Sequence, residues 1–195
     1  TASSGQTKVY GTADSALTYA ISSGSLATFN SVTDSLSGTL IRDAGNQVGI
    51  TYAINQGGLT SAANPNYNIS YVGSTFQVTP RSITLTAPSI NKVYDGSYSY
   101  DHTAAELAIM NQQLLGSDTF SAVKAVFAGN NPNVGTGKVI TLDSSSMVIN
   151  DGNSGRNYTV NIINAAGNIT PASLVVTAAN DAKFSVEADP AGYAG

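Results

Sequence analysis

Residues 82–87 alternate Ile83, Leu85 and Ala87 with Ser82, Thr84 and Thr86, the period-two pattern of a strand that buries one face. Residues 49–54, 67–72, 75–78, 123–127, 138–142 and 158–163 read the same way. Turn-forming clusters divide them, among them Gly57-Gly58, Asn64-Pro65-Asn66, Asn130-Asn131-Pro132-Asn133 and Asp151-Gly152-Asn153. One segment breaks the rhythm. Over residues 103–115, Leu107, Met110, Leu114 and Leu115 share a helical face, Thr103 and Glu106 have capping-box spacing, and Gly116 stands where a C′ residue belongs. This predicts a helix. The matching residues 15–33 are interrupted by Ser and Gly, so any helix there is short. The expected fold is therefore mainly β, with one short helix in the second half of the chain.

The pattern repeats. Lys8-Val9-Tyr10-Gly11 returns 84 positions later as Lys92-Val93-Tyr94-Asp95-Gly96, and Val48-Gly49 returns as Val134-Gly135. Asn66-Tyr67 returns as Asn157-Tyr158, and Val78-Thr79-Pro80 as Ile169-Thr170-Pro171, both 91 positions on. Four anchors in the same order with a slowly growing offset are what duplication and small loop insertions produce, because loops accept added residues at little cost. A third copy begins at Thr170-Pro171-Ala172-Ser173-Leu174-Val175-Val176-Thr177-Ala178, which aligns with residues 79–87; Lys183, Ala188, Asp189 and Ala191 continue it. The expected units are residues 1–80, residues 81–171 and the start of a further unit at 172–195, as in a segment of a longer array. Pro80 and Pro171 fall at the boundaries, where a fixed φ and a restricted preceding residue stiffen the connection. Without a flexible Gly/Ser linker, two modules end to end form a rod of limited bending.

These motifs, the two Lys-Val-Tyr openings, the internal Val-Gly, the late Asn-Tyr and the closing Thr-Pro, resemble the MBG (YGX-type) and YDG repeats of large bacterial surface adhesins. Filamentous-haemagglutinin-like proteins of two-partner secretion are among these. The resemblance covers two units and about 170 residues. It implies a β-grasp-like module strung in tandem between an outer-membrane anchor and a distal binding region, outside a Gram-negative cell. It also implies neighbouring repeats of the same chain as the main partners, with matrix or cell-surface polysaccharide as a further one. The structural motif positions are then Lys8, Tyr10, Gly11, Gly49, Tyr67, Pro80, Lys92, Tyr94, Asp95, Gly96, Gly135, Tyr158 and Pro171. In the third copy Phe184-Ser185-Val186 replaces the expected Tyr-Gly.

Composition narrows the function. Only 10% of the 195 residues are charged, and eight Lys and Arg against twelve Asp and Glu leave a net charge of −4. A phosphate backbone is bound through clustered cations, so nucleic acid is not an expected partner. No apolar run reaches the roughly 20 residues that span a bilayer, and no membrane contact is expected. Zero cysteines remove disulfides and thiolate chemistry together. A monomer without cofactor is expected.

Candidate chemistry is sparse. The one histidine, His102, lies beside Asp101 ahead of the expected helix without a nucleophile elbow, and the two glutamates, Glu106 and Glu187, lie in different units. No catalytic residue is assigned. Asp151-Gly152-Asn153-Ser154-Gly155-Arg156-Asn157 spaces oxygen ligands as a calcium loop does, but Arg156 takes the glycine position and no acid closes the loop, so a polar turn accounts for it equally. No metal site is assigned. A Lys to Asn or Asp isopeptide bond at the recurring Lys8, Lys92 and Lys183 needs a buried lysine beside a catalytic acid. Tyr98 and Tyr100 stand on one face of a short strand and could form, with Tyr94, a platform for a sugar ring. As i, i+2 residues they serve equally as cross-strand packing partners.

Overall fold

The computed structural model describes residues 1–178 and Ser185. The third-copy positions Lys183, Phe184, Val186, Ala188, Asp189 and Ala191 lie outside the described residues. The first unit carries β1 (Gln6–Val9), β2 (Thr28–Phe29), β3 (Val32–Thr33), β4 (Ile41–Arg42), β5 (Thr51–Asn55) and β6 (Ser74–Thr79). In the second are β7 (Arg81–Thr86), β8 (Asn91–Val93), β9 (Ser99–Asp101), α1 (Ala104–Asn111), β10 (Thr119–Ala122) and β11 (Lys124–Phe127). It is completed by β12 (Gly135–Leu142), β13 (Val148–Asn150), β14 (Tyr158–Ile163) and β15 (Ala165–Thr170).

The duplication read from the motifs is also a duplication of sheet order. The first unit forms a mixed sheet in the order β1-β6-β5-β4, and the second repeats it as β8-β15-β12-β11 with β9 added at the edge. In both, the opening strand runs parallel to the last one, pairing Lys8 with Val78 and Lys92 with Ile169. The ladder is closed alike too: Tyr10 N donates to Thr79 O and Tyr94 N to Thr170 O. The Thr79 and Thr170 hydroxyls donate to the carbonyls of Lys8 and Lys92. The threonine of each Thr-Pro thus ties the end of its sheet before the proline turns the chain away.

Alternation decides the faces. Tyr52 and Ile54 of β5 and Phe76 and Val78 of β6 point into one core with Leu40 and Leu59. Ile83 and Leu85 of β7 point into a second core with Phe120, Ala125, Phe127, Ile140 and Ile169. Pro80 alone separates β6 from β7, so consecutive strands serve different cores. β7 pairs in parallel with β14, from Arg81 opposite Tyr158 to Thr86 opposite Ile163.

Several expectations are corrected. The helix of residues 103–115 stops at Asn111: its capping box forms at Thr103 and Glu106, but the backbone tightens at Gln112 and Leu114 N turns back to Asn111 O. From the turn that follows, Leu114 still enters the core alongside Leu107 and Met110. Residues 15–33 hold no helix; Asn30 and Ser31, both at positive φ, close the hairpin of β2 and β3 instead. The strand expected at 123–127 is β11, which starts one residue later because the buried Val123 divides it from β10. Residues 67–72 alternate but form no strand, since no segment among the described residues forms a ladder with them: Tyr67 N binds Asn64 O and Ile69 N binds Ser61 Oγ. Residues 171–178 are likewise exposed and outside any strand. Among the described residues no helix is long and apolar enough to cross a membrane.

Candidate functional site at the junction of the two units

A polar network lies where the units meet. Tyr10 directly follows β1, packs against both cores, and meets the Tyr158 ring edge to face at 5.4 Å between centroids. Its hydroxyl donates to Asp118 Oδ2 at 3.0 Å, and Tyr158 donates to the same oxygen at 2.5 Å while accepting from Leu115 N. One carboxylate therefore joins the opening motif of the first unit to the late motif of the second. Burial and then the hydrogen bond to Asp118 push both phenols above their ordinary value. Gly11 at φ +80° follows, and a Cβ there would overlap the Leu115 side chain.

A second set of contacts runs beside it. Asp151, 7% exposed, accepts the backbone N–H groups of Asn153 and Gly155 at 2.8 Å and of Asn157 at 3.0 Å. Burial alone would raise its pKa, but these three donors outweigh burial and the net shift is downward. The oxygens that resembled calcium ligands are thus filled by their own loop. That loop holds Asn157, 1% exposed, so that its Oδ1 accepts from Val48 N at 3.0 Å, while Asn153 Nδ2 donates to Val48 O at 2.9 Å. Gln47 Nε2 reaches Gly152 O. The Val48 backbone, from the first unit's Val-Gly motif, is clasped by side chains of the second.

Of the recurring lysines, Lys8 and Lys92 lie among the described residues, and each sits beside an aspartate; Lys183 lies outside them. Lys8 Nζ lies 2.7 Å from Asp14, which also takes a two-pronged bond from Arg42 at 2.6 and 2.9 Å. The Arg42 hydrogen bonds, with help from Lys8, hold the Asp14 pKa down at about 2. A carboxylate kept ionised is a poor acyl partner for amide formation with Lys8. Lys92 binds Asp95 and the Ser97 carbonyl, each at 2.6 Å.

Tyr100, Glu106 and His102 come together at the start of α1. Tyr100 packs against the second core and donates to both Glu106 oxygens at 3.0 Å, whereas Tyr94 and Tyr98 are exposed. His102 Nδ1 bonds Val123 O, with the ring edge on Tyr100. Among the described residues no three His, Asp or Glu side chains gather as a metal site. Gly96 and Gly49 take φ of +78° and +84°, Gly135 opens β12, and Tyr67 donates to Asp34 Oδ2 while accepting from Ala27 N.

Residues 1–77 match the family of the MBG domain (YGX type), and residues 79–167 match that of the YDG domain. The chain is an MBG module followed by a YDG module. The boundary between the two matches falls one residue before Thr79, so β7 counts with the YDG module whose core it fills. No curated protein and no solved structure matches the chain. Sequence reasoning missed Asp118, Asn157 as a clasp for the MBG module, and the Arg42 to Asp14 pair. Only Asn157 had a signal, its place before a recurring tyrosine; Asp118 lies 108 positions from Tyr10 in an unremarkable loop.

Proposed function

We propose that the MBG and YDG modules are non-enzymatic spacer repeats in the stalk of an exported bacterial surface adhesin, outside a Gram-negative cell. There they hold a distal binding region away from the surface and add weak contacts to matrix polysaccharide. The observation that carries the reading is the Tyr10, Asp118 and Tyr158 junction. Part-buried, charge-assisted hydrogen bonds at a domain boundary resist bending, and resistance to bending is what a spacer supplies.

Two separate cores joined end to end have a larger radius of gyration than one. Compact-chain scaling gives about 16 Å for a single 195-residue globule and about 12 Å for each module. Modules centred about 35 Å apart raise the total to about 21 Å by the same scaling. Small-angle scattering is expected to return a value near the upper figure, and one near 16 Å would remove the basis of the spacer reading.

A further inference from the structure

Two ladders of the YDG module share one register. β7 lies parallel to β14 from Arg81 opposite Tyr158 to Thr86 opposite Ile163, and β8 lies parallel to β15 from Asn91 opposite Asn168 to Val93 opposite Thr170. Both keep an offset of 77 positions, which the bonds from Ser89 Oγ to Ala166 O and from Asn168 Nδ2 to Asn91 Oδ1 also span. The residues between the ladders carry the pairing on: Ala87 N donates to Ile163 O at 2.8 Å and Asn168 N to Ile90 O at 3.0 Å. There the two segments run so close that a Cβ on Gly167 would overlap Ile90 O. Residues 81–93 and 158–170 are therefore one continuous parallel pair, although it passes from one sheet into another.

Tension along the chain runs through that pair. Pro80 alone joins β6 to β7, so a pull arriving along β6 enters the YDG module at Arg81. It leaves at Thr170, at the opposite end of the same pair. Because the segments are parallel, drawing these two points apart slides one along the other, and the evenly spaced ladder bonds are loaded together. An antiparallel pair would put entry and exit at one end, and its ladder would open rung by rung. Side chains reinforce the pair. Ile83, Leu85, Tyr158 and Ile169 bury one face of it, and Asn161 Nδ2 donates across it to Ser82 Oγ at 2.8 Å. Gln113 Oε1 accepts from Thr84 N and holds β7 from its other edge. The MBG module repeats the arrangement with β1 parallel to β6 and the Thr79 hydroxyl bonded to Lys8 O.

We propose that residues 81–93 and 158–170 form a shear clamp, and that a further function of the YDG module is to carry tension along the chain without lengthening. This goes beyond the spacer reading. The junction resists bending and the clamp resists stretching, so the radius of gyration and the force response can each fail without the other.

The chain contains no cysteine, so two introduced by substitution are unique attachment points for single-molecule pulling of the full 195 residues. Handles on Arg81→Cys and Thr170→Cys load the pair in shear. Handles on Val93→Cys and Thr170→Cys, which face each other at one end, peel it open from there. Val93 and Thr170 are exposed and Arg81 enters the ladder through its backbone, so these substitutions leave both cores intact. Forced unfolding is governed by the unfolding barrier, and at one pulling speed the shear direction is expected to need about twofold the force of the peeling direction or more. In the unsubstituted chain pulled by its ends, residues 81–170 are expected to release about 300 Å of chain in a single step. Equal forces in the two directions, a lower force in shear, or a YDG module that lengthens in several steps would overturn the clamp.

Discussion

Replacing Tyr10 with Phe keeps the ring that touches both cores and removes only the hydroxyl bonded to Asp118. A hydrogen bond to a charged group contributes about 1.5–3 kcal/mol net, and the half-buried position of Tyr10 places the loss near 1.5 kcal/mol. For a chain of this size that lowers the melting temperature by about 3–6 °C. Where the loss falls is more telling than its size. Asp118 N bonds Leu115 O, and Leu115 N bonds the Tyr158 hydroxyl that shares the Asp118 carboxylate. Amide exchange at Leu115 and Asp118 should therefore quicken about tenfold in Tyr10→Phe, although both lie in the other module. Tyr10→Ala, which also strips packing from both cores, should cost about 3 kcal/mol and uncouple the two unfolding transitions. A double-mutant cycle with Asp118→Asn isolates the pair. Exchange unchanged at 115–118 in Tyr10→Phe, with faster exchange confined to the MBG module, would refute the claim that this bond couples them.

Alkaline pH should open the junction, because Tyr10 and Tyr158 are raised above the reference value of 10.0. Their stabilisation is complete below pH 10 and is lost as pH rises beyond it, more steeply in the parent chain than in Tyr10→Phe when followed by urea unfolding. At the acid end, Asp14 drops from 3.8 to about 2, so its contribution is present above pH 4 and fades as pH falls toward 2. Asp14→Asn should flatten that part of the stability profile, and an unchanged slope would assign it to other carboxylates. Asn157→Ala should cost about 2–3 kcal/mol in calorimetry, because the buried carbonyl of Asp151 and the N–H of Val48 lose a partner together. With the Asp151 oxygens engaged by backbone, calcium and chelator should give melting temperatures within a few degrees of each other. A shift equivalent to about 2.7 kcal/mol would reveal a site bound at a hundred times its dissociation constant.

The repeats were legible because the residues that close each sheet stand in short fixed motifs, although the bonds they make span 71 and 78 positions. Thr79 and Thr170 bond the opening strand beside a proline, and that pairing leaves a fixed Thr-Pro signature. Alternation located β7 and β14 to within a residue, since each buries one face. The same alternation misled at residues 67–72, because a strand exists only where a partner supplies the ladder. The helix end was misread for a related reason. Leu114 and Leu115 fit a helical stripe, but one enters the YDG core and the other faces Gly11 of the MBG module, a demand that no local pattern carries. Asp118 was invisible because its meaning comes from two tyrosines, one 40 and one 108 positions away.

The central claim is that Tyr10, Asp118, Tyr158 and the Asn157 clasp fix the two modules relative to each other. Residual dipolar couplings measured separately for residues 1–77 and 79–167 address it directly. The account predicts that both modules report one alignment tensor, of equal magnitude and orientation, and that Tyr10→Ala splits it into two. Two distinct tensors in the unaltered chain would show modules that reorient independently, and the junction would then be a contact without mechanical consequence.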